Sequence, residues 1–271
     1  MAQPIRIGAV NYLNTKPLIF ELEARAEGAK LILDYPSRLA EDLERGRLDV
    51  ALIPIVEYFR AGDYTLVPDI AIASEGPVLS VTLFSRVPWL EMRRVALDEG
   101  SRTSAALTQV LLRKRYGVSP EVCPLPLEES AEDVDADAVL LIGDRAMRAC
   151  LPGFRYAFDL GQEWHDWTGL PFVYAAWAVR PGVDLGPIAE ALVRAKERGC
   201  ANIGPIAARE APQLGLDAGF CRRYLANIIR FDLGPRALAG LHHYYMLASE
   251  LGLARRGVHV RFYQAGESVC V

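Results

Sequence analysis

The sequence lacks any run near the roughly 20 apolar residues that a membrane-spanning helix needs. No apolar leader follows Met1-Ala2-Gln3-Pro4, which runs straight into a strand pattern, so the chain is expected to stay in the cytoplasm and off the membrane. The five cysteines (Cys123, Cys150, Cys200, Cys221 and Cys270) are scattered and never spaced C-x-x-C, which leaves a disulfide framework and a structural zinc site without support. Histidine is scarce as well. His242 and His243 are adjacent, so on a helix they point in different directions, and no metal site is expected. There is no basic tract: 30 Lys and Arg face 34 Asp and Glu, and Arg93-Arg94, Arg222-Arg223 and Arg255-Arg256 are only pairs. That balance argues against a nucleic-acid partner. No Walker loop and no G-x-G-x-x-G is present, and Gly182-Val183-Asp184-Leu185-Gly186 lacks a strand–turn–helix setting. An enzyme built on this chain is therefore expected to need no cofactor.

What is present reads as an α/β protein. With 271 residues, 51% of them hydrophobic and 24% charged, the chain is long enough for two domains. Ile5, Ile7 and Ala9 alternate as in a half-buried strand, and Leu18, Ile19 and Leu22 give an apolar helical stripe with Thr15 as its N-cap and Pro17 in its first turn. Further strand candidates are Leu31–Leu33, Asp49–Ile53, Leu66–Val67 and Ile70–Ile72. Helices are expected from Ser37 to Arg45, ended by Gly46, and from Val56 to Arg60. This β-α-β-α-β opening argues for a parallel sheet with right-handed crossovers.

Two longer apolar stretches, Val78–Ser85 and Gly169–Val179, are long enough to leave one sheet and enter another. Between them the strand–helix alternation restarts, with Arg94–Leu97 and Ala138–Ile142 as strands and Thr103–Arg115 as an amphipathic helix. Beyond Pro181 the chain is mostly helical, with Val258–Phe262 as a final short strand. The organisation expected is a discontinuous lobe, residues 1–84 with 178–271, and an inserted lobe, residues 85–177, each a mostly parallel sheet flanked by helices. Two connections between lobes make a hinge, and the cleft between them is the natural place for a small ligand, on which the lobes would close.

Two stretches carry candidate chemistry. At the carboxyl end of the first strand sit Asn11 and Asn14, where ligands bind in open α/β sheets, although both amides can equally serve as turn residues. At Gly100-Ser101-Arg102-Thr103-Ser104 three hydroxyls cluster on a helix start, whose unpaired N–H groups suit a carboxylate or phosphate; Ser101 alone would be an ordinary N-cap. Ser80 has no G-x-S-x-G elbow and no histidine placed beside it, so hydrogen bonding suits it better than nucleophilic attack. Asp144 ends a buried strand after Gly143 and can orient a substrate hydroxyl, exchange a proton or cap the next helix. Trp164 and Trp167 read first as packing and surface residues, while the run Trp167-Thr168-Gly169-Leu170-Pro171-Phe172 before a crossing stretch also suggests an aromatic wall at the cleft mouth.

Six motifs in order resemble one family: Tyr12-Leu13-Asn14-Thr15 with Pro17-Leu18; Gly46 through Asp49-Val50-Ala51-Leu52-Ile53-Pro54; Gly76-Pro77-Val78 with Ser80; Ser101-Arg102-Thr103-Ser104; Leu141-Ile142-Gly143-Asp144; and Trp164 with Trp167-Thr168-Gly169-Leu170-Pro171-Phe172. Over nearly its whole length the sequence resembles the chorismate dehydratases of the futalosine route to menaquinone. The resemblance implies a type II periplasmic-binding-protein-like clamshell and a cofactor-free loss of water from chorismate. It implies Asn14 and Ser80 at the reacting centre. Asn11, Ser101, Arg102, Thr103, Ser104, Gly143, Asp144 and Trp167 are taken as substrate-binding. No Glu or His is clearly placed as a base, so the substrate's own enolpyruvyl carboxylate is expected to take the proton. The competing expectations are the dihydroxynaphthoate synthase of the same route, for which a catalytic histidine in the cleft is expected, a non-catalytic solute-binding protein, and a sensory ligand-binding domain.

Overall fold

The computed structural model describes residues 4–126 and 129–265, so Met1-Ala2-Gln3, Cys270 and the outer ends of the discontinuous lobe lie outside the described residues. In chain order the strands are β1 (Ile5–Val10), β2 (Ala29–Asp34), β3 (Val50–Pro54), β4 (Thr65–Ser74), β5 (Val81–Ser85), β6 (Arg94–Asp98), β7 (Glu121–Leu125), β8 (Ala138–Ile142), β9 (Tyr156–Asp159), β10 (Phe172–Val179) and β11 (Ile229–Arg230). They form two sheets, ordered β11-β4-β10-β3-β1-β2 and β7-β6-β8-β5-β9.

Both sheets are mixed rather than mostly parallel. β1 pairs parallel with β2 and β3, but β10 runs antiparallel to β3 and β4. In the second sheet β6 is parallel to β7 and β8, whereas β5 is antiparallel to β8 and β9. The reversed strands β5 and β10 are the ones entered as the chain arrives from the other sheet. Parallel neighbours need a crossover that brings the chain back to the same edge, and a strand arriving from elsewhere escapes that demand.

Neither long apolar stretch crosses between sheets as a strand. β5 pairs wholly within the second sheet and β10 wholly within the first, so the passages run through residues 75–80 and 160–171. The first passage contains the turn at Gly76, at φ 96°. β4 joins the two strand candidates around Asp69, whose φ of 58° and the register shifts against β10 mark an irregularity that interrupts the apolar alternation. Of the expected final strand only the bridge between Leu66 and Phe262 forms.

The segment after β1 departs from its expected form. Residues Leu13–Ile19 are a 3-10 helix, with Tyr12 before it and Pro17 inside it. Thr15 is fully buried within that helix and is not an N-cap. Buried Leu13 and Leu18 hold the turn against the core, and the helix Pro187–Ala201 lies across it. Close approach there depends on Gly199, where an added Cβ would sit 2.0 Å from the Pro17 carbonyl oxygen.

Helix propensity alone would make Gly199→Ala stabilising by about 1 kcal/mol. The backbone contact reverses the sign, and the expected result is a loss of at least ~2 kcal/mol in urea unfolding. Gly204→Ala, in the next helix with nothing within 4 Å, is the control and should be neutral or stabilising.

Candidate active site

The carboxyl ends of strands from both sheets face one another. Val10 at the end of β1, Pro54 at the end of β3 and Ile142 at the end of β8 line one cleft with Ser101, just beyond β6, and Gly143. The cleft holds about 530 Å³ of empty space, part of it open to solvent. That is the position where loop backbone and helix starts converge in open α/β sheets.

Five of the expected residues meet there: Asn14, Ser80, Ser101, Ser104 and Gly143. Asn14 lies in the 3-10 turn and donates from Nδ2 to the Tyr224 hydroxyl at 3.2 Å. Ser80 is buried, its Oγ accepts from the Tyr224 hydroxyl at 2.8 Å, and its carbonyl accepts from the Gly143 N–H at 2.7 Å. That last bond extends the β5–β8 ladder by one rung and fixes the Ser80 backbone. Ser101 caps the helix Arg102–Val110, accepting from the Ser104 N–H, and donates from its hydroxyl to Ser104 Oγ at 2.8 Å. Gly143 takes φ 59°, and a Cβ there would lie 3.0 Å from the Tyr12 ring, so glycine is required twice over.

The other five face elsewhere. Asn11 is exposed, accepts from Lys16 Nζ at 2.7 Å and lines the cavity adjoining the cleft. Arg102 turns away from the cleft to Glu41 at 2.6 Å and Glu57 at 3.3 Å, both on helices of the first sheet's lobe. Thr103 accepts the Val56 N–H at 3.2 Å. Asp144 accepts the Leu13 N–H at 3.2 Å through Oδ1, does not cap its own helix, and lines the cavity adjoining the cleft. Burial pushes the Asp144 carboxyl up, against the pull of that N–H. Trp167 packs edge-on to buried Trp164, with ring centroids 6.0 Å apart, beneath the long helix Pro235–Glu250, and forms no part of the cleft wall.

Three tyrosines supply what sequence reasoning missed. Tyr12 and Tyr174 form the aromatic wall, and Tyr224 stands behind Asn14 and Ser80. Tyr174 hydrogen-bonds Ser74 Oγ at 3.1 Å. Burial drives all three phenols up, so they stay protonated at neutral pH. Tyr12 and Tyr174 had local signals, in the turn after β1 and in the alternation of β10; Tyr224 had none. Among the described residues the cleft lining includes no Asp, Glu, His, Lys or Arg. A second cavity of about 1000 Å³ adjoins it through Val10, Tyr12 and Ile142 and is lined by Asp98, Asp144, Arg145 and Arg148. No group of three or more His, Cys, Asp or Glu is placed to hold a metal ion among the described residues.

This is the architecture of a two-lobed, periplasmic-binding-protein-like fold. The alkanesulfonate-binding protein SsuA from Xanthomonas axonopodis pv. citri, bound to MOPS, superposes with a TM-score of 0.68 at 17% identity, covering 96% of each chain. Protein AF1704 from Archaeoglobus fulgidus superposes with a TM-score of 0.76 at 18% identity, over 93% of this chain and 99% of that one. Within that fold the chain belongs to the menaquinone biosynthesis family, whose sequence profile matches residues 5–250. A chorismate dehydratase of Thermus thermophilus is 33% identical over 93% of this chain and 96% of its own. One from Campylobacter jejuni is 30% identical over 63% of this chain and 66% of its own.

Asp98, on the wall of the second cavity, is buried, and burial raises its carboxyl to about 6 despite the Gly100 N–H at 2.8 Å and Arg145 at 3.8 Å. Between about pH 4 and 6 the folded state therefore holds a proton that the unfolded state has released, and this contribution to stability falls as pH rises through that window. The wild-type unfolding free energy minus that of Asp98→Asn should decline by about 2–3 kcal/mol from pH 4 to 7. Urea titrations at each pH measure the difference, and a flat one contradicts this account.

Proposed function

We propose that the protein eliminates water from chorismate, without a cofactor, to give 3-[(1-carboxyvinyl)oxy]benzoate for menaquinone biosynthesis. Family membership and the two relatives named chorismate dehydratase support the reaction. The observation that carries the reading at the site is the convergence of Asn14 and Ser80 in one cleft with the Ser101–Ser104 helix start. Chorismate is a dianion. One carboxylate is placed at the hydroxyls and N-terminal N–H groups of the helix Arg102–Val110. The ring then lies against Tyr12 and Tyr174, with the reacting carbons beside Asn14 and Ser80.

The C–H bond on the ring carbon bearing the enolpyruvyl ether breaks, its electron pair enters the ring, and the neighbouring C–O bond breaks to expel hydroxide. The enolpyruvyl carboxylate takes the proton and the departing hydroxide recovers it as water. Aromatisation drives the step, so the protein has to position the substrate and polarise the leaving group. Asn14 and Ser80 hold the leaving hydroxyl. A cleft lined without acid, base or histidine suits a substrate that carries its own base, and offers no side chain for the histidine expected of the dihydroxynaphthoate synthase. The reading keeps two lobes near the division 1–84 with 178–271 and 85–177, with β5 and β10 assigned to the sheets they pair in.

Purified protein incubated with chorismate should yield a product lighter by one water with nothing added. Asn14→Ala and Ser80→Ala should each lower kcat on the order of 100-fold or more, with KM changed far less. Asp98→Asn and Asp144→Asn should retain activity within about tenfold; loss of turnover in either, with folding and binding intact, sinks the substrate-assisted step. Tight chorismate binding by the wild type without any product would instead mark a binding protein.

A further inference from the structure

We infer that Tyr224 is a positioning residue that sets the hydrogen-bonding roles of Asn14 and Ser80; the inference rests on the reading of the cleft proposed above. Tyr224 begins the turn Tyr224–Ile228, which continues the helix Ala218–Arg223 without a break, and its side chain is fully buried. Its hydroxyl bridges segments 210 and 144 residues distant in sequence, lying 3.2 Å from Asn14 Nδ2 and 2.8 Å from Ser80 Oγ.

The direction of the chain of bonds follows from what each atom can do. An amide nitrogen can only donate, so the phenol oxygen accepts from Asn14. The phenol proton then goes to Ser80 Oγ. With a lone pair of Ser80 occupied, its own proton is the part left to offer. Among the described residues its acceptor is the Val78 carbonyl at 3.4 Å, long for an O–H···O bond, so a ligand oxygen in the cleft is the better partner. Asn14 is the converse. Its nitrogen is committed to Tyr224, and among the described residues Oδ1 meets the Thr15 hydroxyl at 3.5 Å and no other donor, which leaves an acceptor to present. One fixed donor and one fixed acceptor, side by side, match a hydroxyl group: Oδ1 takes its hydrogen and Ser80 donates to its oxygen. Tyr224 touches no substrate. It removes the freedom of two side chains to offer the opposite pairing, and burial keeps it protonated, hence a donor throughout the working pH range.

The test is Tyr224→Phe, which keeps the ring in the core and removes only the hydroxyl. With chorismate, kcat should fall at least tenfold while KM stays within about threefold. The Tyr224→Phe/Ser80→Ala double variant should lose less than the product of the two single losses, because the share of the Tyr224 effect that acts through Ser80 is already gone. A Tyr224→Phe enzyme with wild-type kcat, or losses that multiply in the double variant, overturns the inference and leaves the dehydratase reading standing. Wild-type protein that releases no water from chorismate overturns the dehydratase reading instead. Tyr224 is then judged from thermal midpoints of the ligand-free variants: a double-variant drop smaller than the sum of the single drops sustains the coupling, and additive drops overturn it.

Discussion

Two helix-start N–H groups buried between the lobes cannot reach water and are satisfied from the opposite lobe. The Leu13 N–H, at the start of the 3-10 turn, donates to Asp144 beyond β8, and the Val56 N–H, at the start of the helix Ile55–Ala61, donates to Thr103 beyond β6. Both bonds are buried, so losing either acceptor would leave an orphan donor at a cost of about 1–3 kcal/mol. The ion pairs of Arg102 with Glu41 and Glu57 lie nearer the surface, where such pairs are worth about 0–1 kcal/mol. The buried pair therefore sets how the strand ends face each other, and the rim charges follow.

That constraint propagates directly into the cleft. Asn14 is the residue after Leu13, and Ser101 and Ser104 flank Thr103, so the two interlobe bonds place both walls of the site. Ser80 is held by the rung it adds to the β5–β8 ladder, and Gly143 lets Tyr12 close over the same point. Thr103 and Asp144, expected to bind substrate, are part of the site's construction: Thr103 Oγ1 and one Asp144 oxygen each accept a backbone N–H from the opposite lobe.

Local pattern made much of this legible. Apolar runs marked the strands, and the turn after β1, the passage after Gly76 and the helix start at Ser101 marked the loops that form the cleft. A helical periodicity argument would also have separated the hydroxyls, since Ser101 and Ser104 at i and i+3 share a face that Arg102 and Thr103 do not. Pairing direction was not legible, because whether β10 runs with or against β3 is decided by the route of the chain through the second lobe. Tyr224 was not legible either. Nothing around it in sequence distinguishes it from a core tyrosine, and its role exists only through partners 210 and 144 residues away.

If the cleft takes a dianion as proposed, its lack of a cation among the described lining residues requires an electrostatic account of its own. A lysine or arginine against the enolpyruvyl carboxylate would form a charge-assisted bond and hold that carboxylate's proton affinity down. Such a partner would tighten binding of the ground state and weaken the group proposed to accept the proton. Hydroxyls and helix-start N–H groups orient a carboxylate through dipoles, with less loss of basicity. In a cleft walled by Tyr12, Tyr174 and aliphatic side chains those dipoles act at low dielectric, where they are stronger than in water. The arginines at hand, Arg145 and Arg148, line the adjoining cavity, and Asp98 and Asp144 line it with them. Full cationic charge on these arginines is thereby kept one cavity away from the atom that the proposed step needs basic. In the proposed step, the lack of a base and the lack of a cation among the described residues of the cleft lining answer one requirement.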